Sequence, residues 1–432
     1  MTAALSSVVA VEPVTAWSAD DVDLTDLDFW RRPYADREAG FAALRRGRPI
    51  AFFEDPVIEG TSVDFPKGRG YYALTRHRDI ATASRHPEIF LSGPGTVSIL
   101  DLPPEMVEYF SGMISTDNPK HARLRRIVSA AFSARNLRAI EDAVERVADE
   151  LITKAMSSGS GDFVTDLAAP LPLQIVCEMM GVPPSEFATV LRCSNVILSM
   201  GDPDLVPEGQ DSVLAVLDAG VTLSGLMDEL GAQRRASPGE DITSALVNAE
   251  IESERLTHQE LASFFVLLVV AGNETTRTAL AHTLWALTEH PDQQSRLVAD
   301  FDSLAATAVE EIVRWASPVT WMRRTLATNY TLSGVDLEAG DKVLLYYCSA
   351  NRDEDVFADP FVFDVGRSPN DHYGFGAPGP HFCLGAHLAR REIGVLWRQL
   401  LARSPSIRAT AEPAQLLSSF INGIKSLPYS FS

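Results

Sequence analysis

The constraint that bears hardest on the fold is one uninterrupted helical stretch. Thr257-x-x-Glu260 has the form of a capping box, an apolar run follows it, and no proline intervenes before Pro291. A helix continuing to His290 would be about 50 Å long at ~1.5 Å per residue, and only a large single domain has room for it. It is not a membrane span. The most apolar segment, Phe264 to Gly272, falls far short of the roughly 20 residues a bilayer needs.

Helical spacing also marks Lys120 to Phe132, which is basic, and Ala134 to Met156, ended by Ser157-Ser158-Gly159-Ser160-Gly161. Leu171 to Met180, Ser185 to Met200 and Ser212 to Arg235 follow. Strand signals are few: Tyr71 to Thr75, then Tyr330 to Leu332, Val335 to Leu337 and Val343 to Tyr347, with turns at Ser333-Gly334 and Ala339-Gly340-Asp341. The expected fold is mainly α with small antiparallel β-sheets. Residues 1–24 read as a flexible N-terminal arm and residues 25–432 as one domain, because no linker-like tract or internal repeat divides the rest.

With 46% hydrophobic and 22% charged residues, the chain can fill one large core. Its net charge of −21 argues against a nucleic-acid partner, since phosphate binding depends on clustered Lys and Arg. The first residues carry Glu12, Asp20, Asp21 and Asp23 and lack the basic start and apolar core of a signal peptide, so neither secretion nor a membrane anchor is expected. The four cysteines, Cys177, Cys193, Cys348 and Cys383, show neither CxxC pairing nor zinc-like spacing with histidine. A reducing, cytoplasmic setting fits them. No GxGxxG follows a strand and no P-loop motif occurs, so nucleotide-binding readings lack support.

Chemistry concentrates in Phe375-Gly376-Ala377-Pro378-Gly379-Pro380-His381-Phe382-Cys383-Leu384-Gly385. This glycine-rich, nearly uncharged loop hands one cysteine to a helix whose Leu384, Leu388, Ile393, Leu396 and Leu400 recur at helical spacing. A helix N-terminus favours a thiolate, and glycines let backbone approach both the sulfur and what it binds. A free cysteine is ordinarily a small buried hydrophobe. The ordered set Phe, Gly, Gly, His, Cys, Gly is far more restrictive, and it points to a metal-ligating thiolate.

Three further patterns stand apart in the chain. Ala271-Gly272-Asn273-Glu274-Thr275-Thr276 sits midway along the long helix, where Gly costs about 1 kcal/mol and a buried carboxylate needs a partner. Such local rule-breaking often marks function, although Thr275 could simply bond an upstream carbonyl. Glu311-x-x-Arg314, with Arg352 beyond it, would alone be an ordinary surface pair worth little. His121-x-x-x-Arg125 and Arg324 supply donors that suit carboxylates, but a solvated basic helix would look the same.

Together these four motifs resemble a soluble bacterial cytochrome P-450, and the resemblance runs from about Leu24 to the C-terminus. It implies that Cys383 is the proximal ligand of a haem b iron (iron protoporphyrin IX), in a site that includes Phe375 and Gly385. His121, Arg125, Arg324 and His381 would meet the haem propionates. Gly272 would open a groove for dioxygen, with Glu274 and Thr275 relaying protons, while Glu311, Arg314 and Arg352 would form a buried structural triad. The loop departs from many members in placing both Ala377 and Pro378 before Gly379. That longer form is similar to members acting on steroid side chains and methyl-branched lipids.

The implied activity is monooxygenation: dioxygen and two electrons hydroxylate an aliphatic C–H of a hydrophobic substrate, here a methyl-branched lipid or steroid side chain. Natural-product tailoring of a macrolide, terpene or carrier-bound intermediate would share every motif, and a non-catalytic haem-binding sensor would keep Cys383 without needing Glu274 and Thr275. Apolar candidates for substrate contact are Val97, Leu100, Leu267, Val270, Ala271, Val319, Trp321, Phe420 and Ile421. With no flavin or iron–sulfur motif in the chain, the electrons are expected from ferredoxin and ferredoxin reductase. Arg390, Arg391 and Arg398 are candidate docking charges.

Overall fold

The computed structural model describes residues 16–57, 61–63, 65–102, 112–131, 134–199, 202, 204–205, 210–249 and 255–431. Its longest element is the helix His258–Glu289. The capping box forms as the sequence predicts: the Thr257 hydroxyl accepts from the Glu260 amide at 3.1 Å, and the Glu260 carboxylate accepts from the Thr257 amide at 3.0 Å. The helix ends at His290, and Pro291 begins the next one, Pro291–Ala299. Helices Pro170–Met180, Phe187–Ser199, Ser212–Ala236, Phe301–Ala316 and Ala386–Arg403 pack around it. Residues 278 to 284 are therefore buried on every face, with the polar Thr283 and His282 paired to the Ala279 and Asn422 carbonyls.

The expected helices appear as Lys120–Ala131, Ala134–Ser158, Pro170–Met180, Phe187–Ser199 and Ser212–Ala236. The predicted ends Phe132 and Met200 lie outside the described residues. A five-stranded sheet runs in the order Ile50–Phe53, Tyr71–Leu74, Lys342–Tyr346, Trp321–Leu326, Phe90–Leu91. Its neighbours are antiparallel except Tyr71–Leu74 beside Lys342–Tyr346, which run parallel. Tyr330–Leu332 and Val335–Leu337 form the small hairpin that their Ser333-Gly334 turn announced. The strands Ile50–Phe53 and Trp321–Leu326 and the helices Tyr34–Gly47 and His77–Arg85 had not been anticipated.

The N-terminal boundary needs correction. Residues 1–15 of the expected arm lie outside the described residues, but 16–24 are not a loose arm. Val22 and Leu24 are buried with Phe29, Trp30 and Phe41, and Trp17 packs edge-on against Phe29 at 5.8 Å. Their acidic neighbours point outward, which is why the segment reads as polar although alternate side chains are apolar.

Candidate active site

The cysteine loop is folded back on itself. The Cys383 amide donates to the Phe375 carbonyl at 3.0 Å, so the two ends of the motif meet. Gly376 adopts a left-handed φ of +84°, a conformation that glycine takes freely. Gly379 lies so close to the His77–Arg85 helix that an added Cβ would sit 2.4 Å from the Ser84 carbonyl. The inserted Ala377 is held there too, its carbonyl accepting from the Ser84 hydroxyl at 3.3 Å. Gly385 caps the helix Ala386–Arg403, and a Cβ on it would meet nothing within 4 Å.

Cys383 is the exposed cysteine of the four; Cys177, Cys193 and Cys348 are buried. Its side chain opens into a cleft deep enough for burial to push the thiol up, against lowering by the Gly385 amide, Arg125 and Arg390. The helix N-terminus alone therefore does not make it a thiolate, whereas coordination to a metal deprotonates a thiol outright.

Beside it converge four basic side chains from three parts of the chain. The His121 and His381 rings lie 4.0 Å apart between centroids. Arg125 donates to the carbonyls of Pro380 at 3.0 Å and Phe382 at 2.8 Å, so it clamps the loop directly. Arg324 is buried and donates to the Arg323 carbonyl at 2.7 Å. Burial, Arg324, His121 and Arg125 together hold His381 down to about 2, so it is a neutral imidazole. His121 is lowered likewise, first by burial and then by Arg125. Asp117, whose carboxylate is occupied by the amides of Ser92 and Gly93, is the acid that bears on this group. Such a donor set is suited to a ligand carrying carboxylates.

On the long helix, Ala271 is exposed although it lies midway along the element, so an open cleft borders that turn. The Thr275 hydroxyl donates to the Ala271 carbonyl at 2.7 Å, the back-bond that threonine makes inside helices. Glu274 points elsewhere, paired with Arg277 at 3.0 Å, and Arg277 in turn donates to Asn195 at 2.9 Å. Burial raises the Glu274 carboxyl, while Arg277 and Thr278 oppose the rise. Gly272 is corrected in its role: a Cβ there would sit 3.1 Å from Val176, so the glycine allows close packing on Pro170–Met180 and its missing side chain does not face the cleft.

Six of the nine substrate candidates fall in one apolar cluster. Trp321, Phe420 and Ile421 are buried in it, with Val97, Val270 and Val319 packed against it. Trp321 and Phe420 have ring centroids 4.8 Å apart. Ile99 and Leu416 belong to the same cluster. Leu100 is buried nearby, its carbonyl held by Arg323 at 3.2 Å, and Leu267 packs one turn before Ala271, where a Cβ on Gly112 would meet it at 3.9 Å.

The sequence model of the cytochrome P-450 family matches residues 216–404. A methyl-branched lipid omega-hydroxylase of Mycobacterium tuberculosis is 50% identical over 415 residues, covering 95% of each chain. This chain belongs to the cytochrome P-450 family. A steroid C26-monooxygenase of Rhodococcus jostii is 36% identical over 410 residues, 93% of this chain and 83% of the other. A Mycobacterium marinum cytochrome P-450, solved in complex with pseudoionone, matches with a TM-score of 0.89 at 39% identity, covering 98% of this chain and 100% of that one. As a cytochrome P-450 the protein is a monooxygenase with a haem iron cofactor, and it works with dioxygen, redox partners and a hydrophobic substrate. Among the described residues no helix is long and apolar enough to cross a membrane.

The residues present fit a haem. Cys383 could ligate iron, a Cβ on Gly385 would meet no protein atom within 4 Å, and His121, Arg125, Arg324 and His381 could meet two propionates. The buried brace of this cytochrome P-450 differs from the expected triad. Glu311 and Arg314 make a bidentate pair at 2.7 and 2.8 Å with both side chains fully buried. The second cation on Glu311 is Arg367, at 3.0 Å. Arg352 reaches instead the backbone carbonyls of Arg314 at 3.1 Å and Trp315 at 2.9 Å. Asn370 also donates to Glu311 at 3.2 Å, and the Tyr373 amide donates to Asn351 at 2.6 Å, so the strand of chain entering the cysteine loop is tied to the helix Phe301–Ala316.

The three candidate docking arginines are already paired: Arg390 with Glu310 at 2.5 Å, and Arg391 and Arg398 with Glu145 at 2.8 and 2.5 Å. Another carboxylate went unnoticed in the sequence. Glu392 is buried on the helix Ala386–Arg403 with one oxygen unpartnered, and its bond with Thr276 is too little to offset burial, which pushes it up to about 8. The folded protein therefore keeps a proton that the unfolded chain releases near 4.5, so stability is intact below that pH and declines as pH rises to about 8. The decline approaches about 1.4 kcal/mol per pH unit at most. In Glu392→Gln the slope is expected to flatten, read from melting temperatures across this window; equal slopes in both proteins would refute the assignment.

Proposed function

We propose that this cytochrome P-450 carries haem b and hydroxylates a terminal or near-terminal carbon of a methyl-branched lipid or steroid side chain. Ferredoxin, reduced by ferredoxin reductase, supplies the electrons in the cytoplasm. The observation that carries the reading is the 50% identity to a methyl-branched lipid omega-hydroxylase across 95% of both chains. The apolar cluster formed by Val97, Val270, Val319, Trp321, Phe420 and Ile421 supports it, since a hydrocarbon buried there loses no polar solvation.

When bound, haem supplies the activation of dioxygen, aided by electron donation from a cysteine thiolate. The chain's own residues do the rest. Cys383 would ligate its iron, and Arg125 holds the loop by two of its carbonyls. His121, Arg324 and His381 would hold the group by its propionates. Thr275 releases its bond to Ala271 to donate into the cleft, and Glu274 exchanges protons when it swings away from Arg277. The apolar wall excludes water and presents the alkyl end.

Optical titration of the purified ferric holoenzyme tests this, using methyl-branched fatty alcohols, steroids and macrolides. A saturable Soret shift with a branched lipid or steroid is expected, followed on turnover by a terminal or near-terminal alcohol. A shift with macrolides alone, or oxidation of only polar molecules, would overturn the substrate assignment.

A further inference from the structure

The 420–423 turn joins the substrate wall to the long helix, and its ties are unequal on the two sides. Toward the strand Trp321–Leu326 it is held repeatedly. The Thr320 amide donates to the Phe420 carbonyl at 2.8 Å, the Asn422 amide to Pro318 at 3.0 Å and the Asn422 side chain to Ala316 at 2.8 Å, with Val319 bridging Ile421. Toward the long helix the hydrogen bond among the described residues comes from His282, whose Nε2 lies 2.8 Å from the Asn422 carbonyl. A carbonyl only accepts, so this nitrogen carries the proton. Two turns before His282 the same helix bears Thr275, and Gly423 comes close enough to Glu274 that a Cβ would sit 3.4 Å from its carboxylate.

We infer that His282 is a positioning residue for regiochemistry: by donating to Asn422 it fixes how far Phe420 and Ile421 stand from the helix that carries Val270, Ala271 and Thr275. His282 and Asn422 are both buried, so losing this donor would leave the Asn422 carbonyl unpaired away from bulk water. Burial and the nearby Arg37 and Arg352 hold the ring down to about 4, against the Asn422 bond, which leaves a neutral ring with one N–H to give. The wall and the helix would then close on an alkyl chain at a set spacing, and that spacing decides which carbon is presented. Misplacement by about 1 Å can cost on the order of 10²-fold in rate.

This inference rests on the proposed reading of the 420–423 turn as substrate wall, and its test separates the two. His282→Phe removes the donor at similar size, whereas His282→Gln keeps one. Substrate-free holoenzyme crystals of both variants and of wild type report the turn's distance from the long helix whatever the substrate. Product ratios with a methyl-branched fatty alcohol report terminal against internal hydroxylation. The expected result is a displaced turn in His282→Phe with a terminal-to-internal ratio lowered on the order of tenfold or more, and a turn and ratio close to wild type in His282→Gln. Should His282→Phe fail to bind haem, His282→Leu, which also lacks a donor and leaves the Asn422 carbonyl unpaired, takes its place with the same expectation. An unmoved turn, or a moved turn with an unchanged ratio, overturns the inference. If wild type does not hydroxylate the lipid, the substrate proposal fails, and the turn's position alone then decides the role of His282.

Discussion

Replacing Cys383 with alanine is expected to reduce monooxygenase turnover to background while leaving the loop folded. The contacts that shape the loop do not involve sulfur: the Cys383 amide meets Phe375, Arg125 meets Pro380 and Phe382, and Ser84 meets Ala377. The loss should therefore be chemical. It is read as disappearance of the thiolate-type ferrous–CO Soret band, with a thermal melt close to that of the cofactor-free wild type. Serine at Cys177, Cys193 or Cys348 should leave the band in place, since those side chains are buried, unlike Cys383. An unchanged band in Cys383→Ala would mean that another residue ligates the iron.

The second large effect is on stability. Glu311→Ala removes the carboxylate that faces Arg314, Arg367 and Asn370, and leaves the fully buried Arg314 without its counter-charge. Burial already lowers Arg314 to about 10, still far above neutrality, so the charge stays. Breaking a buried pair from one side costs about 3–5 kcal/mol. Because the same carboxylate anchors the chain entering the cysteine loop, haem content should fall along with the denaturation midpoint. Arg352→Lys should behave differently: Arg352 serves the Arg314 and Trp315 carbonyls and the Tyr34 hydroxyl, so the Glu311 pair survives it. Equal loss of stability and haem in the two variants, followed by urea denaturation, would contradict the assignment of Arg367 as the second partner.

The long helix, its capping box, the hairpin at Ser333-Gly334, the cysteine loop and the Glu311–Arg314 pair were all legible in the sequence. Each is written in residues near one another along the chain, where backbone geometry fixes which side chains meet. A capping box spans four residues, and a loop that must fold back on a cysteine needs its glycines in order.

What the fold alone decided are the choices among distant partners. Several cations in the chain could have faced Glu311, and tertiary packing selected Arg367 over Arg352. Gly272 reads as a groove until Val176 is seen against it, and 16–24 read as an arm until Val22 and Leu24 meet Phe29. Glu392 and His282 carried no signal, because a lone carboxylate or histidine on a helix takes its meaning from burial and from the one group opposite it, Thr276 in one case and Asn422 in the other. Local sequence determines which conformations and donor types are available; the desolvated contacts that select among them form only when remote segments pack.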